Sequence, residues 1–164
     1  MSAVSATTGR GSSSLVRSIT IAGLIIAIVG GFDQITFAVL TLQSTPVLVL
    51  QYIASAFMGP AAFAGGYTTA LLGLLIHFAL SFVVAAVFIL AASRIALLRR
   101  TVFVSAPLYG AAVAVISGLV LPLTTAPKLP VTTLSVAHAL VADAIVVGLP
   151  LAFAVWLGRP RAQG

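Results

Sequence analysis

Residues 69–93 read TALLGLLIHFALSFVVAAVFILAAS, a run with no Lys, Arg, Asp or Glu. About 20 apolar residues in a helix cross the hydrocarbon core of a bilayer. Lipid satisfies no backbone N–H or C=O group, so a segment that crosses it in this way has to be helical. The run therefore predicts a transmembrane helix, and it carries a titratable side chain, His77, among apolar neighbours.

Three further apolar runs have the length of a membrane span. They cover residues 18–42, 102–124 and 133–158. The link at residues 94–101 is short, so the spans on either side of it should form an antiparallel hairpin. Pro127 and Pro130 stop the third helix and start the fourth. The sequence thus predicts one all-α domain over residues 18–158, with four transmembrane helices.

The composition excludes a soluble globular fold. Hydrophobic residues make up 61% of the chain and charged residues 6%, against about 45–50% and about 25% in soluble domains. The net charge of +6 does not indicate nucleic-acid binding, because the cationic residues form no stripe with interleaved aromatic residues. The sequence contains no Cys, which leaves no residue for a disulfide, a thiolate metal site or a cysteine nucleophile. The predicted partner is the lipid bilayer.

Cationic residues mark the ends of the apolar runs. With four spans, Lys128 lies on one side of the membrane and all other cationic residues lie on the opposite side. These are Arg10, Arg17, Arg94, Arg99, Arg100, Arg159 and Arg161. Loops rich in Lys and Arg stay in the cytoplasm, so both termini are predicted on the cytoplasmic side of a bacterial inner membrane.

The two ends of the chain are polar. Residues 1–17, rich in Ser, Thr and Gly, are predicted to be a disordered cytoplasmic leader. The first apolar run exceeds the roughly 7–15 apolar residues of a signal peptide, which predicts a retained span. Residues 159–164 are predicted to be a cytoplasmic tail.

Residues 43–68 are apolar and uncharged but interrupted. The segment PVLVLQYIASAFM at residues 46–58 is too short to span, which predicts an interfacial helix on the outer side. Pro46 suits a first helical turn, while Gly59 and Pro60 end the helix. A re-entrant pore element and an irregular loop stay open as alternatives.

All acidic and histidine side chains of the chain fall inside the apolar runs: Asp33, His77, His138 and Asp143. Such groups in lipid cost several kcal/mol unless they meet a partner or water. With a rise of about 1.5 Å per residue, all four lie in the outer half of the bilayer. Ser81 shares a helical stripe with His77. These five residues are the predicted intramembrane polar layer.

Within this layer we expect Asp33 and His77, which share a depth, to form an ion pair or hydrogen bond. His138 and Asp143 are five residues apart, about 140° around a helix, which disfavours a single centre holding both. Asp33 and Asp143 form either a protonatable pair or a structural set of helix contacts.

Motifs of known chemistry are not found. The His and Asp residues lack the His-x3-His or Glu-x2-His spacing of a metal site. There is no nucleophile elbow, P-loop or dinucleotide fingerprint. The sequence therefore predicts no catalytic residue, no cofactor and no bound metal.

Three stretches together resemble an uncharacterised family of short, four-span bacterial inner-membrane proteins. They are VLQYIASAFMGPAAFAGGYTTALLGLLIHFALS, LYGAAVAVISGLVLPLTTAPKLP and HALVADAIVVGLPLAFAV, and the likeness covers residues 20–157. The resemblance includes a histidine in the second span, here His77, and a histidine before a Gly-Leu-Pro step in the fourth, here His138, Gly148 and Pro150. It implies architecture and location but no activity.

Three functional hypotheses follow. The first is a non-enzymatic four-helix bundle or accessory subunit whose polar layer stabilises packing or holds a small ligand. The second is an oligomeric proton- or cation-coupled transporter or channel using Asp33, His77 and Asp143. The third is a membrane enzyme or binder acting on a lipid or quinone. Self-association and a second membrane protein both stay open as partners.

Overall fold

The computed structural model describes the backbone of residues 5–158 and the side chains of residues 14–158. This part of the chain consists of helices and short connections and contains no strand, which confirms the all-α prediction there. The helices are α1 (Ser5–Leu42), α2 (Pro46–Met58), α3 (Gly66–Arg94), α4 (Ala96–Arg100), α5 (Val102–Val120), α6 (Thr133–Val146) and α7 (Gly148–Leu157). Two short 3-10 segments, Gly59–Ala64 and Leu121–Leu123, follow α2 and α5.

The predicted leader and tail fall partly outside this range. Residues 1–4 and the whole tail, 159–164, lie outside the described residues. From Ser5 onward the backbone is helical, although the composition of residues 1–17 predicts disorder. A helix already nucleated by the apolar run extends by one hydrogen bond per residue, and no proline stands in the way.

Among the described residues, five helical stretches, rather than the predicted four, are long and apolar enough to cross a membrane. The additional stretch is Pro46–Ala64, where α2 and the 3-10 segment join into 19 residues. The α-helix itself ends at Met58, which confirms the predicted end at Gly59 and Pro60. Gly59, at φ 62°, then begins the 3-10 segment that extends the helical stretch to Ala64.

Neighbouring helices run antiparallel. Gly23 of α1 lies against Phe82 of α3, and Gly31, eight residues on, lies against His77. As the residue number rises on α1 it falls on α3, which fixes their opposite directions. The C-terminal end of α1 and the N-terminal end of α3 therefore lie at the same end of the molecule.

Contacts of the same kind give the directions of α5, α6 and α7. Ser18 lies beside Gly158. Gly30, further along α1, lies beside Val146. Thus α1 also runs antiparallel to α6 and α7. On α5, Gly110 contacts the backbone of Asp143. Gly148, five residues after Asp143, contacts Pro107 of α5 instead, so α5 too is antiparallel to α6 and α7.

A one-residue break separates α6 from α7 at Val147. Pro150 has no N–H to donate to the carbonyl of Val146, so the helical ladder loses a bond there. The bond from Leu151 N–H to the Val147 carbonyl is long, at 3.4 Å. The two helices nevertheless follow one another along the bundle and act as one membrane-length element.

We name the two ends of the bundle by their cations. The arginine end carries Arg17, Arg94, Arg99 and Arg100, and the lysine end carries Lys128. The largest cluster of buried apolar side chains lies in the half of the bundle next to the arginine end. It comprises Ala22, Ile26, Ala85, Phe88, Ile89, Ala92, Val102, Ala106, Val147, Leu151 and Ala152. This apolar core joins α1, α3, α5 and α7.

Helix α2 packs at the lysine end. Thr45 caps its first turn by accepting a hydrogen bond from Leu48 N–H, with Pro46 at the first position. Buried Gln51 donates to the Gly66 carbonyl at 2.9 Å and to the Thr69 hydroxyl at 3.3 Å. These bonds tie α2 to the start of α3.

The loop between α5 and α6 holds α2 from its other side. The Tyr52 hydroxyl donates to the Pro127 carbonyl at 3.2 Å, and the Thr125 hydroxyl donates to the Ser55 carbonyl at 3.0 Å. Helix α2 is thus fixed between the start of α3 and the loop that precedes α6.

Candidate functional site

An acid and an imidazole meet between α1 and α6. Asp33 Oδ1 lies 3.3 Å from His138 Nε2, and both side chains are partly exposed, at 32% and 27%. When His138 is protonated this contact is an ion pair. When His138 is neutral, Nε2 can still donate a hydrogen bond to the carboxylate. The contact therefore survives a change of charge on the imidazole.

Phe37 fixes the imidazole ring. Its ring stacks on His138 with centroids 3.9 Å apart and planes 12° apart. Phe37 lies four residues after Asp33, so the two side chains leave the same face of α1 and contact His138 together. An aromatic face also attracts the protonated imidazole. Phe37 is not among the predicted site residues, although its spacing of four residues from Asp33 can be read from the sequence.

Asp143 adds a second carboxylate near this pair. It is one of the half-buried residues of α6 and follows His138 by five residues. The contact of Gly110 with the Asp143 backbone brings α5 close to α6 at this level. We name Asp33, His138 and Asp143 the acid–imidazole centre, which Phe37 supports. The direct contact in it is that of Asp33 with His138, and Asp143 is offset from His138 by about 140° around α6.

The expected pairing of Asp33 with His77 is wrong. His77 Nε2 lies 3.0 Å from the Ala27 carbonyl oxygen and donates to it, which bridges α3 and α1. Gly31 makes room for this bridge, because a Cβ there would stand 3.2 Å from Nε2. Equal depth in the membrane suggested the pairing of His77 with Asp33. The partner of His77 is instead determined by the direction in which each side chain leaves α1.

Helical phase explains the difference. Ala27 and Gly31 are four residues apart and share the α1 face that meets α3. Asp33 is two residues beyond Gly31, about 200° around the helix, and so leaves the opposite face. Gly30, three residues before Asp33, contacts Val146, which marks that face as the one turned towards α6.

Ser81, the fifth residue of the predicted polar layer, makes its hydrogen bond within its own helix. It is buried, and its hydroxyl donates to the His77 carbonyl at 2.8 Å within α3. This is the local bond of a serine that satisfies its hydroxyl inside an apolar helix. Of the five predicted residues, three form the acid–imidazole centre, and His77 and Ser81 lie apart from it on α3.

A groove of about 410 Å³ opens between α1, α2 and α3 next to His77. Its walls are almost entirely apolar and include Phe32, Ile53 and Phe78. The one titratable side chain in the wall is His77, whose Nε2 is engaged by the Ala27 carbonyl. The groove has the chemistry to receive a hydrocarbon chain rather than to react with one.

The centre contains two carboxylates and one imidazole. Among the residues that the structure describes, no group of three or more His, Cys, Asp or Glu side chains is placed to hold a metal ion. Two carboxylates and one imidazole can share and release protons through small movements. Asp33 and His138 are both partly exposed on the surface of the bundle.

The apolar core lies between the acid–imidazole centre and the arginine end. This core includes Phe88 and Leu151, which are fully or almost fully buried.

Comparison with known proteins identifies no family for this chain. No family model, curated protein or solved structure matches it.

Proposed function

We propose that this chain is a small four-span protein of the bacterial inner membrane that binds protons at its acid–imidazole centre without catalysing a reaction, as an accessory subunit. The spans are α1, α3, α5 and the combined α6–α7. The observation that carries the proposal is the Asp33–His138 contact at 3.3 Å between two spanning helices.

The antiparallel order of α1 and α3 supports four spans. If Pro46–Ala64 crossed the bilayer, α1 and α3 would run in the same direction, because a further crossing would separate them. Their contacts, Gly23 with Phe82 and Gly31 with His77, run in opposite directions. Helix α2 therefore starts and ends at the lysine end, as an outer-side helix.

The distribution of charge supports the orientation. Arg17, Arg94, Arg99 and Arg100 gather at one end of the bundle and Lys128 at the other, so the positive-inside rule places the arginine end in the cytoplasm. The termini follow to the same side. The resemblance to four-span inner-membrane proteins agrees with this location.

The chain provides a direct test of this topology because it lacks Cys. Single cysteines introduced as Pro60→Cys and Lys128→Cys should react in intact cells with a maleimide that cannot cross the membrane. A cysteine introduced as Arg94→Cys should react only after the cells are opened. Labelling of position 94 in intact cells, or protection of 60 and 128, overturns the assigned orientation.

The proton-binding role rests on where the centre lies. It is half-exposed in the lysine-end half, whereas the apolar core closes the arginine-end half. A proton can therefore reach the centre from the outer side but meets Phe88 and Leu151 beyond it. This arrangement favours one-sided binding in a single chain over passage across the membrane.

Nuclear magnetic resonance of the histidine side chains tests this role. The chain contains two histidines, and His77→Gln and His138→Gln assign their ¹⁵N signals in proteoliposomes. The His138 signal should respond to the outer pH, and Asp33→Asn should alter the signal because the two side chains are in contact. A His138 signal that stays constant over the whole range in which the protein is folded contradicts the proposal.

Proton flux separates this role from the transport alternative. In liposomes containing a pH-sensitive dye, the wild-type chain should conduct no more than empty liposomes. Asp33→Asn and Asp143→Asn should match it. Flux above background that Asp33→Asn abolishes would establish the oligomeric transporter and replace the accessory role.

A further inference from the structure

Helix α6 carries His138 and Asp143 and ends at the break that separates it from α7. We propose that α6 rotates as one rigid body about this break, that the contact of Asp33 with His138 holds it closed against α1, and that protonation of Asp33 opens it. The centre thereby converts a bound proton into a change of helix position. This inference rests on the proposed function for the binding of a proton at the centre.

The break between α6 and α7 has the features of a hinge. Pro150 has no N–H to donate to the carbonyl of Val146. In the next position, Leu151 N–H reaches the Val147 carbonyl at a long distance of 3.4 Å. Two successive positions of the helical ladder therefore offer little resistance to bending. Hinges are commonly a few residues at the end of an element that absorb the change in backbone angles.

Close backbone contacts with α5 fix the position of the break. Just before it, Asp143 of α6 contacts Gly110, and just after it, Gly148 of α7 contacts Pro107. Neither glycine has a side chain that could keep the helices apart, so α5 lies directly against the chain on both sides of the break. These contacts provide a pivot about which the rest of α6 can rotate.

The part of α6 beyond this pivot is loosely packed. None of the residues of α6 is fully buried, and residues 115–120 of α5, which lie towards the same end of the bundle, are exposed. By contrast, Leu151 and Ala152 of α7 belong to the apolar core. The break thus separates a firmly packed helix from a loosely packed one.

The residues in front of α6 allow it to move without losing its own structure. Thr132 and Ser135 form a capping box, in which each side chain bonds to the backbone N–H of the other, so the first turn of α6 is held together. The preceding loop is bonded to α2 through Thr125 and Pro127. Residues 128–132, between these bonds and α6, are exposed and lie outside any helix. They provide the slack that a rotation of α6 requires.

The contact that closes α6 acts at a distance from the pivot. His138 lies nine residues before Val147, about 14 Å by the helical rise. When Asp33 is ionised, its contact with His138 at 3.3 Å is an ion pair or a hydrogen bond to a carboxylate. Protonation of Asp33 removes the negative charge that attracts the imidazole, whereas deprotonation of His138 leaves a donor on Nε2. Acid should therefore open α6, and base should not.

Asp33 is the titratable group that the neighbouring helices place against the movable part of α6. The helices packed against α6 are α1, α5 and α7. Besides Asp33, α1 brings Arg17, which is about 24 Å away along the helix. Helix α5 brings Tyr109, whose hydroxyl donates to the Val84 carbonyl of α3 at 3.1 Å, and the described residues of α7 bring none. On α6 itself, Asp143 lies at the pivot, where a change of charge has little leverage.

Distances between spin labels test the rotation in the full chain, in nanodiscs of phosphatidylcholine and phosphatidylglycerol. The chain lacks Cys, so Leu134→Cys on α6 and Leu75→Cys on α3, both at exposed positions, carry the labels. Leu134 lies about 20 Å from the break, so a rotation of roughly 10–15° moves its label by about 4–5 Å. Asp33→Asn should lengthen the distance by that amount at every pH. Acid should lengthen it in the chain that retains Asp33.

Matched controls separate this rotation from other changes. Asp143→Asn removes the other carboxylate but leaves the contact of Asp33 with His138, so it should keep the closed distance. Labels at Val87→Cys of α3 and Leu157→Cys of α7 lie on the other side of the break, and their distance should stay constant, which also shows that the packed half is folded. Equal Leu75–Leu134 distances with Asp33 and with Asn at that position, at every pH, overturn the proposal.

The position of the hinge is tested by restoring the missing N–H. Together with Asp33→Asn, Pro150→Ala returns a donor for the Val146 carbonyl and should reduce the lengthening at least about twofold. Pro122→Ala makes the same chemical change in the 3-10 segment after α5 and should leave the lengthening unchanged. Equal effects of the two proline substitutions contradict a hinge at the break.

Two further outcomes separate the rotation from the proposed function. If the resonance signal of His138 responds to the outer pH but Asp33→Asn leaves the distance unchanged, the rotation is wrong and the proton-binding role stands. If Asp33→Asn lengthens the distance but the His138 signal stays constant at every pH, α6 is a movable helix and the proton-binding role is wrong.

Discussion

The two halves of the bundle are packed in different ways. In the arginine-end half, α1, α3, α5 and α7 share one apolar core in which Phe88 and Leu151 are almost inaccessible. In the lysine-end half, residues 115–120 of α5 are exposed on all sides, and none of the residues of α6 is fully buried. The acid–imidazole centre lies in this looser half. Close packing therefore holds the helices together at one end and leaves the titratable groups accessible at the other.

Helix α2 partly compensates for the looser packing at the lysine end. It lies against Thr69 and Gly73 of α3, on the stripe that carries His77 and Ala85 further along. The Ala85 part of that stripe packs in the apolar core. One continuous helix face thus contacts α2 at the lysine end, α1 near His77 and the core at the arginine end.

The largest effect should come from a close backbone contact between α5 and α6. In Gly110→Ala, the new Cβ would collide with the Asp143 carbonyl oxygen, and neither backbone can move aside like a flexible side chain. We expect a loss of about 3 kcal/mol or more in the free energy of unfolding, measured by denaturation in mixed micelles.

The control for this prediction is on the same helix. Gly118 has open space around it, so Gly118→Ala should be neutral or stabilising by up to about 1 kcal/mol, because Ala has the higher helix propensity. Equal effects of the two variants would contradict the packing difference between the two parts of α5.

The apolar core should give the second largest effect. Phe88→Ala removes a ring that is 2% exposed, and we expect a loss of about 2–3 kcal/mol in the free energy of unfolding. Phe32→Ala removes a ring that is 73% exposed and should change stability by less than about 0.5 kcal/mol. A loss for Phe32→Ala as large as for Phe88→Ala would mean that a partner covers the lysine-end half.

A smaller effect is expected at the acid–imidazole centre. A double-mutant cycle with Asp33→Asn and His138→Gln should give a coupling free energy of about 1 kcal/mol. The coupling should be greatest where Asp33 is ionised and His138 is protonated. It should fall when acid protonates Asp33 and when base deprotonates His138.

The cycle of Asp33→Asn with His77→Gln serves as its control. His77 bonds to the Ala27 carbonyl, so these two substitutions should add within about 0.5 kcal/mol. Coupling of Asp33 to His77 that equals its coupling to His138 would contradict the assigned pairing.

The smallest effect should be that of the ring beside the centre. Phe37→Leu keeps an apolar side chain but removes the face stacked on His138 at 3.9 Å. We expect a loss of about 0.5 kcal/mol, larger at a pH where the imidazole is charged. Phe37→Tyr retains the ring and should retain the stability; equal losses for both variants would assign Phe37 to packing alone.

Sequence reasoning finds the helices but not every partner. The apolar runs, the short links and the prolines predict the helical fold and place Asp33, His138 and Asp143 in one layer. The wrong pairing with His77 arises because depth along a helix is readable from residue number, while the neighbour on each face is not. The small residues Gly23, Ala27 and Gly31 of α1 predict a close contact with another helix, but they do not identify that helix.

Helix α2 shows a second limit of the same kind. Gly59 and Pro60 predict the end of its α-helix, and α2 does end at Met58. The pattern of residues does not predict that a 3-10 segment follows directly and extends to Ala64. Length and composition alone then allow a span, and only the opposite directions of α1 and α3 argue against one.

By itself, the amino-acid sequence determined that the chain is helical and suited to lipid, because so few charges cannot cover a soluble surface and lipid leaves each backbone group to pair within its own helix. It also determined which titratable residues are available to form a polar site between the helices. The tertiary structure decided that Asp33 meets His138, that His77 bonds to a carbonyl, and that the break between α6 and α7 lies against α5. The physical reason is that such contacts depend on how whole helices are rotated and which helices are neighbours, and packing sets both across residues far apart in the chain.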